Sequence, residues 1–470
     1  MSRFTQAAAA TLLLSTMLAA QADNCASATL PIPPSGVIGV DRAAMLTPEY
    51  WIARANTPDK LLLTPQQIEE LNAKNNSTDP ATRDLTRVAP VLSREQVLAW
   101  LKEAANPPTK PLVNAKGEEI PAAEIAAAQA NAGVDKVAAS TPARYGLSVR
   151  RATLRTYPTT LAAYATKDST DFEVFQGGVL FPGEPLVIAH ESVDGQWFFA
   201  LTTQGPVWIK KIDVAVGAAA EVFGYTRQQP YRVVTGDKIR TVYTPEAPEV
   251  SELQLDMGTR VPLAALPEGE PVNGQGPYVS WTVMLPVRHD DGTLGFEPAL
   301  VQKIKDTTPG YLPLTRENII RQSFKFLGER YGWGHQYNAR DCSGFTSDVY
   351  RSMGVLVQPN SGAQGASPAF RHQLFTAADS HVVRLKAVMQ AQVGDLIVVP
   401  GHVLMLLGQV DGQPYVIQDV PYAVFHDPAT GKVRMTKINE VSVTPLLPLM
   451  ADDKNTYVDA MTSLVHVTAR

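Results

Sequence analysis

The residue type best suited to nucleophilic chemistry is Cys342, one of two cysteines in this chain of 470 residues. It follows Asp341 at the point where an irregular stretch meets a segment with helical spacing. A thiol at a helix N-terminus feels the positive end of the helix dipole, which lowers its pKa and favours the nucleophilic thiolate. N–H groups of a first helical turn also stabilise an oxyanion. The pattern predicts a reactive cysteine, although a lone buried cysteine is more often an inert core residue.

A reactive cysteine needs a base, and His402 is the histidine placed best to supply it. It begins a predicted strand, where an imidazole can face a neighbouring helix tip, take the thiol proton and later protonate a leaving amine. Gln418 ends the next predicted strand, so a hairpin would bring it beside His402 to hold the second ring nitrogen. His335 and His426 are the alternative bases.

Composition excludes several other kinds of function. Lys plus Arg number 41 against 46 Asp plus Glu, a net charge of −5, so no basic excess points to nucleic acid. Apolar residues make up 45% of the chain, too many for a disordered protein. Two cysteines are too few for a disulfide framework. The sequence contains no His-x-x-x-His and no Cys-x-x-Cys pair, the spacings typical of a metal site. We expect neither a metal nor another cofactor.

The first 22 residues have the pattern of a secretory signal peptide. Arg3 precedes an apolar stretch over residues 7–20, and a small-x-small pattern predicts cleavage after Ala22; the alternative is a buried N-terminal helix. Cys25 follows an Asp-Asn pair rather than a small residue, so lipid anchoring there is less favoured, as is a disulfide to the distant Cys342. No later segment reaches the roughly 18–20 apolar residues of a membrane span. We therefore expect export to a periplasmic or extracellular location.

Three further units are predicted between this leader and the reactive region. Residues 23–142 are expected to form a helical stabilising region with a linker, with Ser93 standing where an N-cap would. Residues 143–217 change to short alternating runs with an Asp194-Gly195 hairpin turn, which predicts a small barrel. Residues 218–308 have a weaker form of the same pattern. Both β units resemble bacterial SH3-type modules.

The last unit, residues 309–470, is predicted to combine helices with an antiparallel sheet. Thr315 stands at the N-cap of a helix whose apolar spacing continues to Tyr331, and a second helix begins at Cys342. Strand signals follow at residues 396–399, 403–407 and 415–417. Helices followed by an antiparallel sheet make an α+β domain. The whole chain is thus predicted to be a multidomain α+β protein.

Four motifs of this last unit occur in the order found in one known family. They are Tyr331-Gly-Trp-Gly334, Arg340-Asp-Cys-Ser-Gly-Phe345, Gly394-Asp-Leu-Ile397 and Gly401-His-Val-Leu404. With the segment Gln358-Pro-Asn-Ser361 and Gln364, they resemble the NlpC/p60 cell-wall cysteine peptidases. The layout of a helical region, two SH3-type barrels and a peptidase resembles a subgroup that cleaves the γ-D-glutamyl–diamino acid bond of peptidoglycan stem peptides.

The resemblance implies a papain-like α+β domain with Cys342 as nucleophile and His402 as base. The family's third residue is often a histidine, and this chain has Gln418 where it is expected. A glutamine accepts the imidazole N–H through its amide oxygen but carries no charge, so it stabilises an imidazolium less than a carboxylate does.

The resemblance also implies which residues bind substrate. Asp341 and Ser343 would bind a free substrate amine, and Tyr331 would line the site; Asp341 is equally suited to be a helix N-cap. In relatives the first barrel closes one end of the groove, so that only short peptides with a free N-terminus fit. The barrel residues that could serve here are Trp197, Trp208, Asp171 and Glu173.

The leading hypothesis is an exported, metal-free cysteine endopeptidase acting on peptidoglycan stem peptides or muropeptides, with no obligate protein partner. One alternative is a cell-wall binding protein whose peptidase domain is degenerate, which only Gln418 favours. Another alternative keeps the cysteine chemistry but changes the substrate to a different amide or a thioester.

Overall fold

The computed structural model describes residues 37, 39–267, 269–426 and 430–468. The predicted signal peptide and Cys25 lie outside these residues. Within the described ranges, every helix is too short or too polar to cross a bilayer.

The N-terminal region is helical and packs onto both the last unit and the first barrel. Trp51 is 1% exposed and lies 5.3 Å, ring to ring, from Tyr415 of the last unit. Leu92 and Val97 pack with Trp208 of the barrel. The elements are helices α1 (Pro48–Ile52), α2 (Pro65–Thr78), α3 (Arg94–Ala104) and α4 (Ala122–Ala130), and strands β1 (Leu61–Leu63), β2 (Val91–Ser93) and β3 (Ser140–Pro142). Ser93 caps α3 as predicted, its side chain accepting from the Gln96 N–H.

The first barrel is one antiparallel sheet of seven strands. They are β4 (Arg144–Ser148), β5 (Ala152–Arg155), β6 (Gln176–Leu180), β7 (Pro185–Glu191), β8 (Trp197–Thr202), β9 (Gly205–Lys210) and β10 (Val214–Gly217). Their order in the sheet is β10-β4-β7-β8-β9-β5-β6. The predicted turn at Asp194-Gly195 joins β7 to β8, and buried residues such as Leu154, Ile188 and Phe198 fill the core.

The next unit packs three small antiparallel sheets around its own apolar core. Its elements are α5 (Ala219–Tyr225), β11 (Tyr231–Val234), β12 (Lys238–Arg240), β13 (Gln254–Asp256), β14 (Arg260–Pro262), β15 (Ser280–Arg288), β16 (Leu294–Gln302) and β17 (Thr307–Thr308). The sheets are β14-β11-β17, β12-β13 and β15-β16, with Val234, Leu255 and Val283 in the core. Its assignment as a second SH3-type barrel stays a prediction.

The last unit is the predicted α+β domain. Its elements are β18 (Leu314–Thr315), α6 (Arg316–Phe324), α7 (Cys342–Arg351), α8 (Ser361–Ala366), β19 (Arg371–Leu374), α9 (His381–Gln390), β20 (Leu396–Val399), β21 (His402–Val410), β22 (Gln413–His426), β23 (Val433–Pro445), α10 (Tyr457–Ala460) and β24 (Ser463–His466). Six strands form an antiparallel sheet in the order β19-β24-β20-β21-β22-β23. Phe345 and Val349 of α7 pack on one face with Val403, while Val388 of α9 packs on the other face with Leu404.

One helix is shorter than its apolar spacing predicts. α6 ends at Phe324 rather than at Tyr331. The Gly328 N–H donates to the Val441 carbonyl and the Tyr331 N–H donates to the Asn439 carbonyl, so this stretch joins the edge of β23 instead. The sheet edge therefore carries Tyr331 towards the start of α7, where its chain pairs with Arg340.

Candidate active site

The nucleophile candidate stands at the first residue of α7, and Asp341 fixes that helix start. One oxygen of the Asp341 carboxylate accepts from the Gly344 N–H and the Ser343 hydroxyl, both at 2.8 Å. The other oxygen accepts from the Gly334 N–H at 2.9 Å. Both carboxylate oxygens are thus used inside the protein, which makes Asp341 the N-cap of α7.

The thiol of Cys342 is free and only 5% exposed. Burial raises its pKa, and the nearby charges of Asp341 and Asp419 raise it further, although the backbone N–H groups of Val403 and Ser343 favour the thiolate. The expectation of a thiol pKa below its ordinary value is wrong. Desolvation of a sulfur anion outweighs the partial charge of one helix end. In the resting protein Cys342 is a neutral thiol.

His402 is held by a chain of hydrogen bonds at the start of β21. Its Nε2 lies 2.7 Å from the Gln418 side-chain oxygen, and the Gln418 amide nitrogen donates to the Thr444 hydroxyl at 2.7 Å. In this arrangement the amide oxygen faces the imidazole and the amide nitrogen faces Thr444. Nε2 carries the ring proton, and Nδ1 is the nitrogen left to act as a base.

The strand β21, which begins at His402, passes the start of α7. Val403, whose N–H favours the Cys342 thiolate, directly follows His402 in the chain. Burial lowers the pKa of His402 to about 4, with the Gln418 hydrogen bond acting against that shift. At neutral pH the site thus pairs a neutral thiol with a neutral imidazole, and the thiolate must form by proton transfer between them.

The first barrel supplies an aromatic wall next to Tyr331. The ring of Phe172 lies 5.9 Å from that of Tyr331 and 5.2 Å from that of Trp333. Asp171 approaches Arg330 at 3.8 Å and Lys437 at 3.7 Å. Burial raises the pKa of Tyr331, and the carboxylates of Asp341 and Asp171 raise it further, so its hydroxyl stays protonated.

The other barrel residues considered above do not reach the site. Glu173 is fully buried and bonded to Arg155. Trp197 and Trp208 belong to the apolar cluster that the barrel shares with α3. Of these four residues, Asp171 is the one that lies beside Tyr331. Its neighbour Phe172 was not predicted from the sequence, because an aromatic residue in a loop carries no distinguishing pattern.

Neither alternative histidine takes the place of His402. His335 packs behind the first turn of α7, where a Cβ on Gly344 would overlap the imidazole, and its ring is 6.0 Å from that of Phe181. That close approach explains the glycine in the Cys-Ser-Gly motif. His426 is exposed at the far end of β22, with Nδ1 3.3 Å from the Gly431 carbonyl.

Arg340, two residues before the nucleophile, anchors the site to the second β unit. Its side chain is fully buried and donates to Asp348 at 2.7 Å, to Glu329 at 2.9 Å and to Asp256 at 3.1 Å. Asp256 belongs to β13, so this ion cluster joins two units of the chain. Arg340 was recognised from the sequence as part of a motif, but its ion-pair partners were not predicted.

Two residues near the sulfur had no sequence signal of their own. Asp419 follows Gln418 and is fully buried, and neither carboxylate oxygen has a hydrogen-bond partner among the described residues. Burial raises its pKa well above the ordinary range, and the charge of Asp341 adds to this. Tyr457 opens α10, and its ring lies 6.1 Å from that of His402.

A buried thiol at a helix start, beside a histidine on an antiparallel sheet, places the last unit in the papain-like class of α+β folds. Comparison with family models matches residues 328–442 to the NlpC/P60 family and residues 162–210 to an SH3 domain of the SH3b1 type. The chain therefore carries an NlpC/P60 domain with an SH3b domain N-terminal to it.

One solved structure shares this fold over most of the chain, and a second is similar over a smaller part. An NlpC/P60 endopeptidase from Photobacterium damselae subsp. piscicida superposes with a TM-score of 0.69 at 13% identity, over 89% of this chain and 96% of that one. An NlpC/P60 family protein from Bacillus cereus ATCC 10987 has a TM-score of 0.46 at 18% identity, over 69% of this chain and 100% of that one. Comparison with curated proteins finds no match.

Proposed function

We propose that this protein is an exported cysteine endopeptidase that hydrolyses the γ-D-glutamyl–diamino acid bond of peptidoglycan stem peptides. The observation that carries the proposal is the bonded series from Thr444 through Gln418 to His402, at the start of the strand whose next residue, Val403, places its backbone N–H on the Cys342 sulfur. Cys342 stands at the start of α7. The resemblance to an NlpC/P60 endopeptidase over most of the chain supports the same class of reaction.

In the first half-reaction, the sulfur of Cys342 adds to the γ-carbonyl carbon of the D-glutamyl residue while its proton passes to Nδ1 of His402. The tetrahedral intermediate then collapses, the carbon–nitrogen bond breaks, and the imidazolium gives its proton to the departing amine. The products are a free diamino acid and a thioester between Cys342 and the γ-glutamyl peptide.

In the second half-reaction, His402 takes a proton from water as the water oxygen attacks the thioester carbonyl. The carbon–sulfur bond breaks, and the imidazolium returns the proton to the sulfur. The peptide leaves as a γ-carboxylic acid, which releases its proton to solvent to become the carboxylate, and the neutral pair is restored. Because the pKa of His402 is about 4, the base is available at any pH above that value.

The electrostatics around Tyr331 support a peptide with a positive charge on one side of the scissile bond. The carboxylates of Asp341 and Asp171 act on Tyr331, and Phe172 closes the same side. We infer that the substrate amine binds near Tyr331, Asp341 and Ser343, and that the Phe172 wall limits the length of peptide that fits.

One observation favours a second candidate, a cell-wall binding protein without catalysis. The Cys342 thiol is nearly inaccessible, and its pKa is raised. Such a protein would bind stem peptides and leave them intact.

The test uses the full-length chain with the tripeptide L-Ala-γ-D-Glu-diamino acid and a set of muropeptides of defined length. The wild-type protein is expected to release free diamino acid, and Cys342→Ala and His402→Ala are expected to release none. His426→Ala is the matched control, because His426 is exposed and remote from the sulfur. Turnover by Cys342→Ala would end the proposal. Binding without turnover by the wild type would establish the binding protein, and cleavage confined to other amides would change the substrate.

A further inference from the structure

The hairpin of β15 and β16, in the second β unit, carries exposed apolar side chains at one of its ends. The two strands pair over nine residues, from the Ser280–Gln302 pair to the Arg288–Leu294 pair. At the second of these ends the Arg288 guanidinium donates to the Lys211 carbonyl of the first barrel at 3.2 Å. The Gln302 end lies about 27 Å away along the strands, so it is remote from that contact with the barrel.

Three apolar side chains project into solvent at the Gln302 end. They are Tyr278, 81% exposed, Val279, 52% exposed, and Ile304, 86% exposed. The two loops that carry them are in contact, because the Lys303 N–H donates to the Val279 carbonyl at 3.0 Å and the Lys303 ammonium donates to the Tyr278 carbonyl at 2.7 Å. Tyr278, Val279 and Ile304 together form what we call the apolar tip.

Positive charge flanks the apolar tip. Ile304 stands between Lys303 and Lys305, both of them exposed, and neither lysine forms an ion pair with any carboxylate of the described residues. The next residue, Asp306, lies 2.8 Å from the Lys325 ammonium, so its charge is compensated. The tip thus combines apolar side chains with two unpaired cations.

The loop that carries Ile304 is held in place on the side of the protein. The Trp281 ring has the Arg232 guanidinium 4.0 Å from its centroid and the Lys303 ammonium 5.2 Å from it. Arg232 also donates to the Thr307 hydroxyl at 2.8 Å, in β17, which follows the loop. The loop is therefore anchored at Lys303 and at Thr307, and a tip formed in advance loses little conformational freedom on binding.

The size and chemistry of the apolar tip fit a lipid surface better than a protein. A stable protein interface buries about 800 Å² on each partner, which is more than three side chains at the end of a hairpin provide. At a bilayer surface, tyrosine is enriched among the head groups, aliphatic side chains enter the acyl boundary, and lysines attract anionic lipids. Lysine can lay its methylenes along apolar surface while its ammonium stays in water.

We propose that the apolar tip binds the surface of an anionic lipid bilayer. Ile304, Val279 and the ring of Tyr278 insert between the head groups, while Lys303 and Lys305 pair with lipid phosphates. The binding is peripheral and reversible, because three side chains and two charges supply it. It is independent of the proposed catalysis, since the tip belongs to the second β unit and the reaction to the last unit.

The test is co-sedimentation of the full-length protein with vesicles of phosphatidylglycerol and phosphatidylcholine in equal parts, and with vesicles of phosphatidylcholine alone. Ile304→Ser and Lys305→Gln alter the tip. Val382→Ser, at an exposed position of α9, and Lys102→Gln, at an exposed position of α3, are the matched controls. One lysine near an anionic surface contributes about 1 kcal/mol, a factor of about five in the partition coefficient.

We expect Lys305→Gln to lower partitioning onto the anionic vesicles about fivefold and Ile304→Ser to lower it about tenfold or more. Neither control should change it. Binding of the wild type should be weak on phosphatidylcholine and should fall as salt rises, because salt screens the attraction between lysines and head groups. Tripeptide hydrolysis in solution should be equal in all five proteins, and lipid binding by a wild type that leaves the tripeptide intact would refute the proposed function alone.

Three results would overturn the inference. The first is no sedimentation with the anionic vesicles, and the second is equal sedimentation of the wild type and Ile304→Ser. The third is the absence of lipid binding together with self-association, or binding to insoluble peptidoglycan, that Ile304→Ser abolishes. That third result would assign the apolar tip to a second copy of the chain or to the cell wall.

Discussion

Replacing Arg340 by methionine keeps most of the side-chain volume and removes a fully buried positive charge. The guanidinium now faces Asp348, Glu329 and Asp256 and also donates to the Asp237 carbonyl at 3.1 Å. Asp256 is fully buried and Asp348 nearly so. Without Arg340, Asp348 has no other ion-pair partner among the described residues, whereas Asp256 keeps Arg151 at 3.7 Å and Glu329 keeps Lys238 at 2.7 Å.

Removing one partner of a buried ion pair costs about 3–5 kcal/mol, because the partner that remains is uncompensated. At about 1.4 kcal/mol per factor of ten, the folding equilibrium of the unit that contains the cluster should fall roughly 150- to 4,000-fold. The matched control is Arg321→Met. Arg321 pairs with Glu317 and Glu49 at 2.8–2.9 Å, but its side chain is 41% exposed. Exposed pairs contribute about 0–1 kcal/mol.

The measurement is urea unfolding of both full-length variants, followed by tryptophan fluorescence, with tripeptide hydrolysis assayed on the same samples. Arg340→Met should unfold at a clearly lower urea concentration and lose activity, since the cluster holds the loop that carries Cys342. Equal midpoints for the two variants would refute the claim that this buried cluster fixes the site to the second β unit.

Two further predictions concern titration. Gln418→Glu places a carboxylate against the imidazole, which raises the pKa of His402 from about 4. The acid limb of the pH profile of kcat/KM should therefore move to higher pH. An acid limb at the wild-type pH would contradict the assignment of Gln418 as the partner of the base. Asp419→Asn should gain stability relative to the wild type as the pH rises. The raised pKa of Asp419 means that the folded protein keeps a proton that the unfolded chain releases near pH 4, so wild-type stability falls as the pH rises through the folded pKa. Urea unfolding at pH 5 and pH 8 measures that difference, and a difference independent of pH would show that Asp419 is not a desolvated acid.

Local relationships in the site were predictable from the sequence. Asp341 caps α7 because its carboxylate reaches the N–H three residues ahead, a spacing visible in the chain itself. Gln418 meets His402 because the turn at Asp411-Gly412 folds β22 back along β21, with Met405 opposite Ile417. In both cases a helix or hairpin of known geometry connects the two residues.

Relationships that depend on docking were not predictable. The partners of Arg340 include an aspartate 84 residues away in another unit, and Phe172 reaches Tyr331 from the first barrel. The pKa of Cys342 was predicted with the wrong sign because the helix dipole is a local property, whereas burial to 5% exposure results from the whole assembly. The Tyr457 ring lies 6.1 Å from that of His402, and its helix is tied to α9 by the hydrogen bond between Asp459 and His381.

The central claim, that Cys342 forms a covalent bond to the substrate, is tested most directly by rapid-quench mass spectrometry of the wild-type protein mixed with the tripeptide. We predict a γ-glutamyl peptide attached as a thioester to the proteolytic fragment that contains Cys342, formed before free diamino acid reaches its steady rate of release. Release of diamino acid with no acyl group on that fragment at any time, or with an acyl group on another residue, would contradict the account.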